Sequence, residues 1–267
     1  MIWDRPSKRI IVNADDFGLT AGVCRAIIDA SRDGIVSNTS AMVCSDTYLR
    51  NAAAHFASLA IPCGVHLQLT DGRPVSSEMA AFLVRETGSP GFPDEPGVVA
   101  MPAELVRAEW DAQVQCFTRN FGTPSHLDSH HWVHLVPEYV EAYCETAARH
   151  DLPVRGALRG RDRHVYEALA GRGVRSTFDV VNIKVHLGDQ TPGDGFLSEP
   201  AFQPGAAGEV VHELLTHPGY SDPELARVSP LNARREVELT YLRDRNARRA
   251  LTDGLGFSIV DYRSLSS

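Results

Sequence analysis

The chain has 267 residues, 43% apolar and 22% charged, enough to bury a large core in one barrel-sized domain or in two small ones. Its 34 acidic and 26 basic side chains give a formal net charge of -8, which supplies no broad basic field for a phosphate backbone; nucleic acid is excluded as the expected partner and a small molecule is favoured. The five cysteines are odd in number, far apart and without a C-x-x-C pair, which argues against a disulfide framework or a thiolate zinc site and for buried apolar residues in a reducing compartment.

Residues Met1 to Arg9 lack the apolar core of a signal peptide, and no later stretch reaches the roughly 20 apolar residues that cross a bilayer, so a soluble, cytoplasmic protein without a membrane partner is expected. Arg9 to Ala14 is a β-branched run suited to a strand buried on both faces, and it stops at Asp15-Asp16-Phe17-Gly18. Thr20 can cap a helix through about Arg32, with Val23, Ala26, Ile27 and Ala30 on one face and Gly34 as terminator. A strand over Ile35 to Val43, a helix over Tyr48 to Leu59 and a strand over Gly64 to Leu69 follow. Residues 70 to 100 are rich in Gly, Pro, Ser and Asp and read as a long loop. From Pro102 to Phe121, apolar residues at spacings of three or four predict an amphipathic helix that Gly122 and Pro124 end. Next come a helix over Pro137 to His150, a strand over Pro153 to Ala157 and a helix over His164 to Gly171. The stretch 174 to 208 has no clear period. Glu209 to His217 reads as a strand, charged helices span Pro230 to Thr252, and Phe257 to Tyr262 is a closing strand. This alternation without a composition break predicts a single α/β catalytic domain over 1–267, around a parallel sheet able to close into a barrel.

In such folds the chemistry gathers at the carboxyl ends of the strands, and there the unusual residues lie. The segment His126-Leu-Asp-Ser-His130-His131-Trp-Val-His134 holds four of the 11 histidines together with Asp128, a donor set suited to a divalent ion with open positions; the competing reading is a solvated polar loop. His130 and His134 are four apart, yet no Glu follows the first histidine, so this is not H-E-x-x-H. Asp15 and Asp16 suit a metal ligand next to a base, or else a turn before the helix. His66 interrupts an apolar strand as a core histidine or a ligand, and Trp132 is either a packing residue or a platform for a sugar ring. His217, before Pro-Gly, is placed for proton donation. Arg155, Arg159, Arg161 and Arg163 suit an anionic group or a solvated surface, while the arginines from Arg227 to Arg249 alternate with acids as an exposed helical face. Jointly these parts specify metal-assisted hydrolysis of an N-acyl group.

Asn13-Ala-Asp-Asp-Phe-Gly18, Gly64-Val-His-Leu-Gln-Leu-Thr-Asp-Gly-Arg-Pro74, Pro124-Ser-His-Leu-Asp-Ser-His-His-Trp-Val-His134 and Glu213-Leu-Leu-Thr-His-Pro-Gly219 resemble, in order and spacing, the YdjC-like carbohydrate deacetylases. The resemblance implies a single distorted (β/α) barrel of the glycoside hydrolase/deacetylase type, often dimeric. It implies one divalent ion, usually magnesium, while the donor types also suit zinc or manganese. Carried onto this chain, the metal ligands are Asp16, His66 and His130, with Asp15 as base and His217 as acid. Arg155 falls near the family's substrate, and Trp132 and His134 join it as candidate substrate contacts; Trp132 stands where the chitooligosaccharide enzyme has another histidine. The implied substrate is an N-acetylated amino sugar or chitooligosaccharide, with or without a phosphate. A metal-dependent phosphoesterase and a non-catalytic sugar sensor are the competing functions.

Overall fold

The computed structural model of the protein describes residues 8–157, 162–178, 180–182 and 210–265. Its first half runs β1 (Lys8–Phe17), α1 (Ala21–Asp33), β2 (Asn38–Ala41), α2 (Asp46–Phe56), β3 (Cys63–Leu67), α3 (Ser77–Thr87), α4 (Ala103–Phe121) and β4 (Leu127–Ser129). The second half runs α5 (Val140–His150), α6 (Arg163–Gly171), β5 (Val180–Asn182), β6 (Val211–Thr216), α7 (Leu225–Val228), α8 (Asn232–Leu242), α9 (Arg245–Arg249) and β7 (Phe257–Val260).

Every strand pair is parallel, in the order β4-β3-β2-β1-β6-β5, with β7 along the first part of β1. Single parallel bridges from Leu127 to Val154 and from Val154 to Ser176 carry the ladder round from β4, and the Phe178 N–H then donates to the Val211 carbonyl. The result is a distorted (β/α) barrel. The expected strand over Pro153 to Ala157 is reduced to Val154. Pro153 has no N–H to give a ladder, and Gly156 passes so close to Thr177 that an added Cβ would lie 2.1 Å from its carbonyl oxygen.

Burial follows from this wrapping. Ile10, Ile11, Val12 and Ala14 are completely inaccessible, as a strand covered on both faces requires. The α4 residues Val106, Trp110, Val114 and Phe117 pack into the same large apolar cluster, and all five cysteines are buried and free. Among the described residues no helix is long and apolar enough to cross a membrane.

Helix α3 corrects the reading of residues 70 to 100 as one loop. The Ser76 side chain caps it by accepting from the Met79 N–H, Met79, Phe82 and Leu83 face inward, and Gly88 ends it with φ 77°. Its apolar residues form one unbroken run, Met79 to Val84, which reveals no period between Gly- and Pro-rich flanks. Of the unreadable stretch 174 to 208, residues 174–178 and 180–182 are described and hold β5; the rest lies outside the described residues.

Gly64 shows how tightly β3 meets β4. A Cβ there would stand 2.3 Å from His126 Nδ1 and 2.6 Å from the His126 carbonyl oxygen. Gly64→Ala is therefore expected to destabilise the protein by about 1–3 kcal/mol through overpacking, measured as a lower urea midpoint at unchanged m-value. An unchanged midpoint would show that the strands can separate there at no cost.

Candidate functional site

Asp15 and Asp16 end β1. Successive residues of a regular strand face opposite ways, yet both carboxylates line one cavity of about 870 Å³. The register of β1 against β2 slips between Ala14 and Phe17, and Asp16 takes a left-handed φ of 70°, a bulge that turns both side chains to the same rim. His66 of β3 stands beside Asp128 of β4 in register. His130 opens the turn after β4, in which His131 and Trp132 both have left-handed φ, 51° and 58°. Such conformations cost about 1–3 kcal/mol each. The surroundings hold them, since His131 Nδ1 lies 3.0 Å from Thr70 Oγ1 and its ring stacks on His130 with centroids 3.9 Å apart. After β6, the pairing of Ala14 with Thr216 brings His217 next to Asp15 at the cavity wall.

Asp16 Oδ1, His66 Nε2 and His130 Nδ1 form a nearly equilateral triangle. The oxygen is 3.2 Å from each nitrogen, and the nitrogens are 3.3 Å apart. Donors held about 2.1 Å from one ion take similar spacings. The other ring nitrogens are engaged: His66 Nδ1 is 2.8 Å from Asp128 Oδ1, and His130 Nε2 is 3.0 Å from Asp71 Oδ2. A carboxylate can only accept, so each places the proton on the outer nitrogen and leaves the neutral ring's lone pair for the triangle's centre. Asp16 Oδ1, buried in the same triangle, has no hydrogen-bond partner among the described residues.

The surrounding charge also fits a cation. Asp15, Asp16, Asp128 and Glu213 are at most 1% exposed, and the buried cations among them are Arg155 and Arg235. Arg155 Nη1 and Nη2 donate to the two oxygens of Asp15 at 2.8 and 2.7 Å, its Nε donates to Glu213, and Nη2 is 3.0 Å from Asp128. Arg235 Nη2 donates to Asp16 Oδ2 at 2.5 Å. Four carboxylates thus share two guanidiniums, and one divalent ion would supply further positive charge. Burial works against ionisation of Asp16, but Arg235 together with His130 and His66 outweighs it and holds the carboxyl well below its ordinary range. Burial would likewise depress His66, yet Asp128 and Asp15 lift its pKa to about 10. Burial pushes His217 down to about 4.

The residues singled out from the sequence divide into two groups. Asp15, Asp16, His66, His130, Trp132 and His217 meet at the cavity. Arg155 and His134 lie beneath it and do not line it. Arg155 holds Asp15 from below, and the Trp132 ring covers its Cζ at 5.8 Å. His134 is locked between Ser129 Oγ and the Gly156 carbonyl, and burial pushes its pKa to about 4. His126, another member of the cluster, stacks on Tyr262 away from the rim. Arg163 is exposed and pairs with Glu167, while Arg159 and Arg161 lie outside the described residues. Arg235 corrects the picture of a wholly exposed arginine face, being 2% exposed in the cavity wall. Asp71 and Glu213 fall inside the quoted motifs but had no role assigned to them, and Arg235 carried no signal in its own segment beyond being ionisable.

A family model described as YdjC-like protein matches residues 9–253. A carbohydrate deacetylase of Thermoanaerobacter pseudethanolicus is 32% identical over 92% of this chain and 95% of its own, and one of Halalkalibacterium halodurans is 33% identical over 83% and 89%. A chitooligosaccharide deacetylase of Yersinia pestis is 36% identical over 55% of this chain and 59% of its own. Among solved structures, an Enterococcus faecalis protein assigned provisionally to cellobiose-phosphate cleavage superposes with a TM-score of 0.83 at 28% identity, covering 98% of this chain and all of the other.

Titration calorimetry is expected to find one divalent ion per chain. His66→Ala and His130→Ala should abolish binding, and Asp128→Asn should weaken it by about 10- to 100-fold by freeing the His66 ring. Below about 10 the raised pKa of His66 keeps a proton on the free site that the ion must displace. Affinity should therefore strengthen about tenfold for each pH unit gained between 6 and 8, with proton release seen in buffers of different ionisation enthalpy. A pH-independent affinity would exclude His66 as a ligand.

Proposed function

We propose that this chain, which belongs to the YdjC-like family, is a metal-dependent deacetylase that hydrolyses the N-acetyl group of a small amino sugar or chitooligosaccharide. The observation that carries this reading is the triangle of Asp16, His66 and His130 beside a second, oriented carboxylate, Asp15. A divalent ion held by the three would supply Lewis-acid polarisation of a carbonyl and of water at neutral pH. Magnesium is the ion the family resemblance implies; two imidazoles and a carboxylate suit zinc or manganese as well.

The protein's own groups do the rest. Asp15 is the base: Arg155 grips both its oxygens, Asn13 Nδ2 donates to Oδ1 at 2.8 Å, and Oδ2 stays 3.9 Å from His66 Nε2. Held in this plane, it takes the proton of the water that attacks the acyl carbon. His217 serves the leaving nitrogen. With its pKa near 4 the imidazole is uncharged at pH 7, and it gains the proton it donates as negative charge builds in front of it. The cavity volume suits a mono- or disaccharide. Trp132 offers a flat face on one wall and Val228 an apolar contact on another, while Arg227 provides positive charge that a phosphorylated sugar would meet. The relatives named as carbohydrate deacetylases support the sugar, and we assign residues 1–267 to one catalytic domain.

Metal-loaded protein incubated with N-acetylglucosamine or diacetylchitobiose should release acetate, and chelation should stop it. Asp15→Asn should lower kcat by about 10²- to 10⁴-fold while leaving the bound metal in place. Hydrolysis of phosphate monoesters without acetate release would point to a phosphoesterase instead, and sugar binding without any product to a sensor.

A further inference from the structure

Arg155 and Arg235 are the two guanidiniums buried at the site, and they differ in how fully they are used. Each nitrogen of Arg155 reaches a carboxylate. Arg235 gives Nη2 to Asp16 Oδ2 at 2.5 Å and makes a longer contact of 3.5 Å with Ser229 Oγ. Its Nε and Nη1 are buried and have no partner among the described residues. Glu238, three residues on, is taken up elsewhere: its Oε2 accepts from the His217 N–H at 2.6 Å and its Oε1 from Arg234 Nε at 3.3 Å.

The side chain is also fixed in place. Gly219 lies against its stem, where an added Cβ would be 3.0 Å from Arg235 Cδ, and the Gly219 N–H donates to the Arg235 carbonyl at 3.2 Å. Pro218-Gly219 thus lets α8 press the guanidinium into the cavity wall beside His217. Nη2 is anchored on the carboxylate whose other oxygen belongs to the donor triangle. Nη1 of the same planar group therefore stays within reach of an atom polarised there. Idle, preoriented N–H donors in a water-poor wall suit an acceptor that becomes more negative during reaction.

On the deacetylase reading, we infer that Arg235 is a catalytic residue: Nη2 keeps Asp16 bound through one oxygen, while the idle Nη1 beside it at the tip of the guanidinium hydrogen-bonds the substrate's acyl oxygen. As the oxygen of water bonds to the acyl carbon, the carbonyl π pair moves onto the acyl oxygen, and Arg235 shares that charge. The pair returns when the C–N bond breaks. The bonding pair leaves with the nitrogen, which takes a proton, and acetate and an amine result.

Arg235→Lys tests this, because a lysine can still neutralise Asp16 Oδ2 but cannot present the second set of donors. The variant should keep the wild-type melting temperature, bind the divalent ion within about tenfold of wild type and keep KM within about threefold, while kcat falls by about 100-fold or more. A methylphosphonamide analogue of the substrate, whose tetrahedral anionic phosphorus stands for the attacked carbon, should lose about 100-fold in calorimetric affinity to the same variant, whereas the acetylated sugar loses about threefold or less. With Arg235→Ala, added guanidinium ion should restore about tenfold in kcat where equal urea restores none. A lysine variant with kcat and analogue affinity within about threefold of wild type, or a loss cured by excess metal, would overturn the assignment and leave Arg235 as a clamp on Asp16. A wild-type protein that releases no acetate would overturn the deacetylase reading along with it; an active wild type with an indifferent lysine variant would overturn this inference alone.

Discussion

Charge compensation at the barrel rim is the constraint on which the rest depends. Removing a carboxylate from water is costly unless opposite charge and hydrogen bonds replace the solvent, and four of them are buried here within a few side chains of one another. Arg155 binds three of the four into one unit, joining β1, β4 and β6. Arg235 meets the fourth from α8. What is left over is negative and lies where three donor atoms converge, an arrangement that could hold a cation. Stability and chemistry are set by one arrangement of charges.

Rigid support comes from polar groups of the outer helix layer as well as from apolar packing. Glu109 and Gln113 project from the same face of α4, four residues apart. Gln113 exchanges hydrogen bonds with both backbone groups of Gln68, the residue just after β3, with a side chain in place of a strand. Glu109 accepts the N–H groups of Val75 and Ser76. Between those anchors lies Asp71, itself at φ 56°, which fixes the ring of His130. A helix packed in the core thereby determines which nitrogen of a rim histidine is free.

The parts legible in the sequence were those whose signal is local. A buried β-branched run, a capped amphipathic helix and a histidine-rich strand end each announce themselves within about ten residues, and the parallel alternation sends Asp15, Asp16, His66, His130 and His217 to one rim. What stayed hidden depends on pairings across the chain. Arg235 and its neighbours in α8 have the same composition and spacing, and the approach of Gly219 is what buries one of them while Arg234 stays half-exposed. Arg155 was expected near the substrate from the family resemblance and as one of four neighbouring arginines, neither of which says anything of the Glu213 and Asp128 that hold it. The double left-handed turn at His131 and Trp132 could not be read, since neither residue favours that conformation and tertiary contacts alone impose it.

Tyr262 follows β7, and its hydroxyl donates to Glu213 Oε2 at 2.6 Å while its ring covers His126. The Asn38 side chain accepts its backbone N–H. Glu213 is the carboxylate that braces Arg155, so the layer under Asp15 is completed by one of the last described residues. During synthesis, β1 through β6 emerge from the ribosome long before this residue does. Until Tyr262 clears the exit tunnel, Glu213 lacks that hydroxyl donor and β1 lacks β7 along its first turns of pairing. The floor beneath Asp15 is therefore completed only once Tyr262 has emerged and reached Glu213.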